Sequence, residues 1–239
     1  MRIALIGYGK MGKTIEKIAK NRNHQISFII DVNNQDDLQK IKPENTDVAI
    51  EFTQPESAYI NVKHCIENQV PIVCGTTGWL EKKAELEKYC IEKSGSFFYA
   101  SNYSIGVNLF FHLNKVLAKM MSKFPEYEVD MEEVHHTEKR DAPSGTAITL
   151  AEGLMAFKKD KKKWVNNPTK EEATLSIISK RIENVPGMHT VFYKSGIDEI
   201  EIKHTAFNRE GFATVAVMAA EWIFGKKGVF GMDDMMDFE

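Results

Sequence analysis

The sequence predicts an α/β protein in two parts, a Rossmann-type domain on a parallel sheet followed by a second α+β domain with a mixed or antiparallel sheet. Three observations carry this reading. An apolar run at residues 2–6, R-I-A-L-I, passes directly into G-Y-G-K-M-G at residues 7–12. Strand candidates then alternate with amphipathic helices to about residue 100, the rhythm of a sheet covered on both faces. Beyond Tyr127 several strand candidates follow one another with few helices between them, which favours antiparallel or mixed pairing.

The first strand, turn and helix form a candidate dinucleotide site. Gly7 allows the tight turn, Gly9 lets a pyrophosphate approach the backbone, and Gly12 permits close helix–strand packing, while a helix over 13–20 offers its N-terminus to phosphate. The segment Gly7, Tyr8, Gly9, Lys10, Met11 and Gly12 is therefore the expected cofactor loop. A glycine pattern alone also fits an ordinary strand–helix turn, so the second strand matters: residues 26–30, I-S-F-I-I, are mostly apolar and end on Asp31, placed to accept from ribose hydroxyls. The following V-N-N-Q-D-D holds no cation, so NADH is the expected cofactor, with NADPH left open because Lys10 and Lys13 lie near the same corner.

Strands are expected at 47–52 and 71–74, separated by a helix that starts near Pro55 and Ser57 and reaches Asn68. In parallel sheets ligands sit outside the carboxyl ends of the strands, which places Thr53, Gly75, Thr76 and Thr77 beside the cofactor, although the threonines also suit a plain turn. A strand at 97–100 exits through Ala100, Ser101, Asn102 and Tyr103, the last of the expected cofactor contacts. Then come a packed helix at 106–123, a strand at 127–135, a helix at about 145–158, strands at 175–181, 190–193 and 199–205, a helix at 211–224 and a closing segment at 225–236.

Composition excludes several classes. A formal net charge of -3 gives no electrostatic footprint for nucleic acid, and K-K-D-K-K-K at 158–163 reads as a solvated loop or helix end. No apolar run approaches the length of a membrane span, and the first strand breaks into glycine too early for a signal peptide. Cys65, Cys74 and Cys90 are odd in number and lack metal-ligand spacing, as expected of reduced thiols in the cytoplasm.

The densest chemistry lies at 132–146, E-E-V-H-H-T-E-K-R-D-A-P-S-G-T. Histidine titrates near neutral pH, lysine supplies a proton or holds a carboxylate, and a turn opening a helix presents backbone N–H groups to an anion. Adjacent histidines at a strand end point to opposite faces, so one of them faces a given pocket and the other has a structural role. Glu132, Glu133 and the histidines do not have the spacing of a helical H-E-x-x-H or a cysteine zinc site, so no metal is expected. Cys74 closes an apolar strand with no histidine nearby in sequence and reads as a buried thiol rather than a nucleophile.

Several blocks together resemble the 4-hydroxy-tetrahydrodipicolinate reductase (dihydrodipicolinate reductase) family over nearly the whole chain: G-Y-G-K-M-G at Gly7, C-G-T-T-G-W at Cys74, A-S-N-Y-S-I-G-V-N at Ala100 and E-V-H-H-T-E-K-R-D-A-P-S-G-T-A at Glu133. G-M-H-T-V at Gly187 and the tail G-K-K-G-V-F-G-M-D-D-M add to the likeness. One departure is R-I-E-N-V-P-G-M-H, with Pro186 before Gly187, where many members have a glycine-rich segment.

The resemblance implies a reductase of lysine and diaminopimelate biosynthesis that takes a cyclic dicarboxylate, loses water and reduces the ring with hydride from a nicotinamide cofactor. It implies His135 as proton donor or acceptor, Lys139 as second proton donor, His136 as a substrate contact, and Ser144, Gly145 and Thr146 as the substrate-carboxylate site. It further implies a homotetramer formed through the sheet of the second domain at 104–208, with the tail from 209 to 239 returning to the dinucleotide domain at 1–103. Competing readings are another nicotinamide-dependent oxidoreductase acting on a small acid, and a non-catalytic dinucleotide sensor; a sensor has no need of the H-H-x-x-K block.

Overall fold

Buried side chains alternate along the first strand, β1 (Arg2–Ile6): Ile3 and Leu5 join one apolar cluster, Ala4 and Ile6 another. That period-2 split needs helices on both sides of the sheet, and the chain supplies them. In the computed structural model, which describes residues 1–207 and 210–237, α1 (Lys10–Asn21), β2 (Gln25–Ile30), β3 (Val48–Glu51), α2 (Pro55–Glu67), β4 (Ile72–Cys74), α3 (Lys83–Glu92) and β5 (Ser96–Tyr99) follow in turn. Pro55 starts α2, where its missing N–H costs nothing and its fixed φ suits the first turn.

After β5 the chain enters a separate run: α4 (Ile105–Met121), β6 (Glu128–His135), α5 (Gly145–Met155), β7 (Lys163–Val165), β8 (Thr174–Arg181), β9 (Gly187–Lys194) and β10 (Glu199–Ala206). It then returns with α6 (Glu210–Ile223), β11 (Gly228–Phe230) and α7 (Met232–Met236). Two compact units result, Met1–Ser104 with Glu210–Glu239, and Ile105–Arg209. The expected boundary at 208 and 209 lies outside the described residues.

The first unit carries a six-stranded parallel sheet in the order β11-β5-β4-β3-β1-β2. Ile15 and Ala19 of α1 pack with Ala213, Ala216 and Ala220 of α6 on one face; Val62 and Ile66 of α2 pack with Leu86 and Cys90 of α3 on the other. The second unit has a five-stranded sheet, β10-β9-β6-β8-β7, mixed because β6 runs parallel to β8 and antiparallel to β9. Phe110 and Ala118 of α4 and Leu150 and Leu154 of α5 cover its core face beside Val129, Met131 and Val191.

One expectation from composition fails. The lysine run is not uniformly solvated: Lys158 is 3% and Lys161 6% exposed. Lys161 Nζ donates to the Glu172 carbonyl at 2.7 Å and lies 3.4 Å from Glu128, so its charge is met by oxygen acceptors while its stem adds to the packing. Lys158 lies 3.6 Å from Asp160.

Candidate active site and dinucleotide cleft

In the first unit the β1–α1 connection is built for close approach. Gly7 has φ +97°, and a Cβ there would sit 2.0 Å from the Phe52 carbonyl oxygen; one on Gly12 would sit 2.2 Å from Gly7 O. Over Gly9, by contrast, nothing lies within 4 Å of where a Cβ would be. Gly9 is the N-cap of α1 and makes no side-chain cap, and the first turn carries no acid. A helix start with orphan N–H groups, positive dipole and open space above it fits a pyrophosphate.

A cavity of about 420 Å³ opens beside this turn, bordered by Gly7, Gly9, Asp31, Phe52, Thr53 and Asn61. Its acids are Asp31, Asp36 and Glu56, and among the described residues no lysine or arginine lines it. Lys10 is exposed, and the Lys13 ammonium lies 5.7 Å from the Tyr8 ring centroid instead. Met11 is half-buried against the core.

The other expected cofactor residues divide. Gly75 is half-buried, while Thr77 and Ser101 are exposed at the strand exits and Asn102 is half-buried. Ala100 is core, Thr76 is 5% exposed, and its hydroxyl donates inward to Glu51 Oε1 at 3.0 Å. Tyr103 is a core residue: 2% exposed, it packs against Phe52 and Phe98, and its hydroxyl donates to the Cys74 carbonyl at 2.8 Å. Cys74 is buried as expected, and burial beside Glu51 pushes its thiol well above the ordinary range.

In the second unit β6 delivers Glu133 and His135 to one face, two residues apart. Glu133 is 0% exposed yet ionised: burial pushes its pKa up, but the His189 ring, 3.7 Å from Oε2, and hydrogen bonds from Ser144 and Ser179 outweigh this and hold it well below the usual carboxylate range. Its Oε2 accepts the Ser144 N–H at 3.0 Å and its Oε1 the Ser179 hydroxyl at 2.7 Å, with the Arg181 guanidinium 3.3 Å from Oε1.

His135 is 8% exposed, its ring 5.0 Å from that of His189 in an edge-on arrangement. His135 Nδ1 is 3.4 Å from Glu133 Oε2, within reach of its charge but without hydrogen-bond alignment. Burial, and then His189, push the His135 pKa down to about 4, with Glu133 opposing. Its Nε2 abuts Gly187, where a Cβ would lie at 3.1 Å, so the strand after Pro186 runs hard against the imidazole.

His136 points to the other side of β6, as strand alternation requires, and lines a cavity of about 450 Å³ with Glu138, Glu183, Asn184 and Pro186. Lys139 Nζ donates to Asp141 at 2.8 and 2.9 Å. Arg181 secures the same loop, donating to the carbonyls of Lys139 at 3.3 Å and Asp141 at 2.6 Å.

Ser144 is the N-cap of α5: its Oγ accepts the Ala147 N–H at 3.2 Å and lies 3.0 Å from His189 Nε2. Gly145 is exposed with open space over its Cα, and Thr146 is half-buried in the first turn. Glu133, Arg181 and His189 have no place in the expected site, although Glu133 is spaced two residues from His135 and His189 lies within the G-M-H-T-V block. Glu133, His135 and His189 bring three potential ligand atoms within 4.8 Å of one another. The donors already on both Glu133 oxygens define that carboxylate as a hydrogen-bond hub.

A parallel-sheet unit with a glycine-turn cleft, joined in one chain to a unit carrying histidine and lysine beside a helix start, defines a nicotinamide-dependent oxidoreductase. The family models of dihydrodipicolinate reductase match on both sides of the division, the N-terminal one over residues 1–103 and the C-terminal one over 106–236, and the chain belongs to that family. It is 48% identical over 238 residues to the 4-hydroxy-tetrahydrodipicolinate reductase of Christiangramia forsetii, covering 99% of this chain and 98% of the relative. It is 33% identical to the enzyme of that name from Buchnera aphidicola, covering 98% and 96%. Among solved structures, the fold matches a dipicolinate-bound dihydrodipicolinate reductase from Paenisporosarcina sp. TG-14 with TM-score 0.76 at 20% identity, over 98% of this chain and 99% of that one.

Proposed function

We propose that the protein reduces 4-hydroxy-tetrahydrodipicolinate to tetrahydrodipicolinate, with loss of water, in the lysine and diaminopimelate route. The carrying observation is the grouping of His135, Lys139 and the start of α5 within one unit of a chain whose other unit holds the dinucleotide cleft. The nicotinamide cofactor supplies a hydride to the unsaturated ring. The unit Met1–Ser104 with Glu210–Glu239 holds that cofactor, and Ile105–Arg209 holds the substrate.

The protein's own groups do the rest. Substrate carboxylate is received at Ser144, Gly145 and Thr146, where the first N–H groups of α5 point out of the helix and the dipole favours an anion. His136, which lines a cavity with Glu138 and Glu183, is assigned a substrate contact by the family resemblance alone. Lys139 Nζ is the proton donor: it is the cation of the pair and stands on a loop that Arg181 secures from β8. Burial and then His189 push the His135 pKa down to about 4, which disfavours its holding an added proton near neutral pH, so it relays a proton between its ring nitrogens.

NADH is preferred over NADPH, because a 2′-phosphate would meet Asp31, Asp36 and Glu56 with no cation among the described residues of the cavity lining. The enzyme is a cytoplasmic homotetramer. Three buried free thiols support a reducing compartment, and exposed Leu109, Leu113, Val116 and Met120 leave one face of α4 available to another copy. No described helix is long and apolar enough to cross a membrane.

The reaction is tested by supplying freshly made 4-hydroxy-tetrahydrodipicolinate and following the loss of reduced-nicotinamide absorbance. Oxidation no faster than the enzyme-free rate refutes the assignment. Turnover of a different small acid in its place would favour the broader oxidoreductase reading.

A further inference from the structure

Glu51 is the last residue of β3, is 0% exposed, and among the described residues forms no ion pair with a lysine, arginine or histidine. A carboxylate taken out of water needs either a cation or several donors. This one has the donors. Its Oε1 accepts the Thr53 N–H at 3.0 Å, the Thr53 hydroxyl, and the Thr76 hydroxyl at 3.0 Å; its Oε2 accepts the Cys74 thiol at 2.9 Å. The Thr53 N–H is shared with Thr76 Oγ1 at 2.8 Å, so the exits of β3 and β4 are fastened through one buried side chain.

The fastening sits beneath the cofactor cleft. Thr53 and Phe52 border the cavity next to Gly7 and Gly9, and the Phe52 carbonyl is the atom against which Gly7 is pressed. Gly75, after β4, is packed as tightly: a Cβ there would lie 2.2 Å from the Phe52 ring. Any drift of the β3 exit therefore moves the floor of the cleft and the turn that receives the pyrophosphate.

We propose that Glu51 is a positioning residue for the dinucleotide, holding Thr53 and Thr76 so that the β1, β3 and β4 exits keep one cofactor-ready geometry. The Thr76 hydroxyl, whose proton goes to Glu51, acts through this network rather than by touching the cofactor. The proposal rests on reading this unit as the dinucleotide-binding one, which wild-type NADH binding establishes independently.

The test is run on the full chain. Glu51→Ala removes the acceptors and should raise the NADH Kd about 10-fold or more, since hydrogen bonds to a charged group are lost at several points. NADH KM should rise with kcat at saturation little changed, and pyridine-2,6-dicarboxylate, a planar mimic of the substrate that would bind in the other unit, should keep its affinity. Glu51→Gln retains the Oε1 acceptor and should recover most of the NADH affinity. In the ligand-free protein, hydrogen exchange at 52–54 and 75–77 should accelerate in Glu51→Ala while β1 stays protected. NADH affinity unchanged in Glu51→Ala, or equal losses for NADH and the dicarboxylate, overturns the proposal. Should Glu51→Ala not fold, Thr76→Val carries the test: weaker NADH binding with faster exchange at 52–54 supports it, and weaker binding with unchanged exchange means direct contact and refutes it.

Discussion

His135 and Lys139 lie four positions apart in sequence, and the proposed reaction gives them opposite tasks that match their surroundings. The histidine is buried against a second imidazole with its pKa near 4, whereas the lysine is partly exposed and paired with Asp141. Removing either should lower turnover by roughly 100-fold or more, the usual range for a lost proton-transfer group, with NADH affinity intact; steady-state rates at saturating substrate and NADH titration check it, and near wild-type turnover removes that residue from the mechanism. A second residue-scale expectation concerns Asp31. It borders the cleft with Asp36 and Glu56, so kcat/KM should favour NADH over NADPH by about 10-fold or more, and Asp31→Ser should narrow the ratio. A clear NADPH advantage in the wild type would refute the electrostatic argument.

At the scale of elements, the start of α5 is held by a strand far from it in sequence. Glu133 of β6 takes the Ser144 N–H, while the Ser144 hydroxyl caps the helix and meets His189 of β9. With the backbone fixed this way, Thr146→Val keeps shape but removes a hydroxyl, and should weaken pyridine-2,6-dicarboxylate binding about 10-fold, the magnitude of a hydrogen bond to a charged group. Calorimetry giving equal affinity would assign the carboxylate to the backbone N–H groups alone. Local pattern reveals only part of this arrangement. The β1 turn, the divergence of His135 from His136 and the helix at 145 are legible because each depends on residues within one turn or one strand. His189 and Arg181 are not, because only the register of β9 and β8 on β6 brings them to Glu133. β7 and β11 have three residues each, too few for a period to register, and β11 exists because β5 offers it an edge. Likewise α3 buries only Leu86 and Cys90, a signal too thin to separate from a loop.

For the whole molecule, the same burial that tunes the site makes global stability depend on pH. His135 titrates near 4 in the folded protein, and His64 and His204 are also pushed down, chiefly by desolvation and then by Lys42 and His189 respectively. An unfolded histidine takes its proton near pH 6.5. Between that pH and about 4 the unfolded chain therefore binds protons that the folded chain refuses, and linkage requires stability to fall as pH falls. Glu133 has the same sign lower down: its folded pKa is depressed, so its contribution is complete above the usual carboxylate range and is lost only in stronger acid. Asp130, raised by burial, works in the opposite sense, but only in the carboxylate range. The histidine window thus stands apart. Thermal unfolding at constant ionic strength should show a Tm that is level between about pH 7 and 8 and declines from about pH 6.5 toward 4. Replacing the ionisable ring in His135→Asn should flatten that decline relative to wild type, whatever its effect at neutral pH. A stability maximum below pH 5.5, or the same acid slope in the variant, would show that His135 is not held neutral by the fold, and with it would fall the assignment of the proton to Lys139.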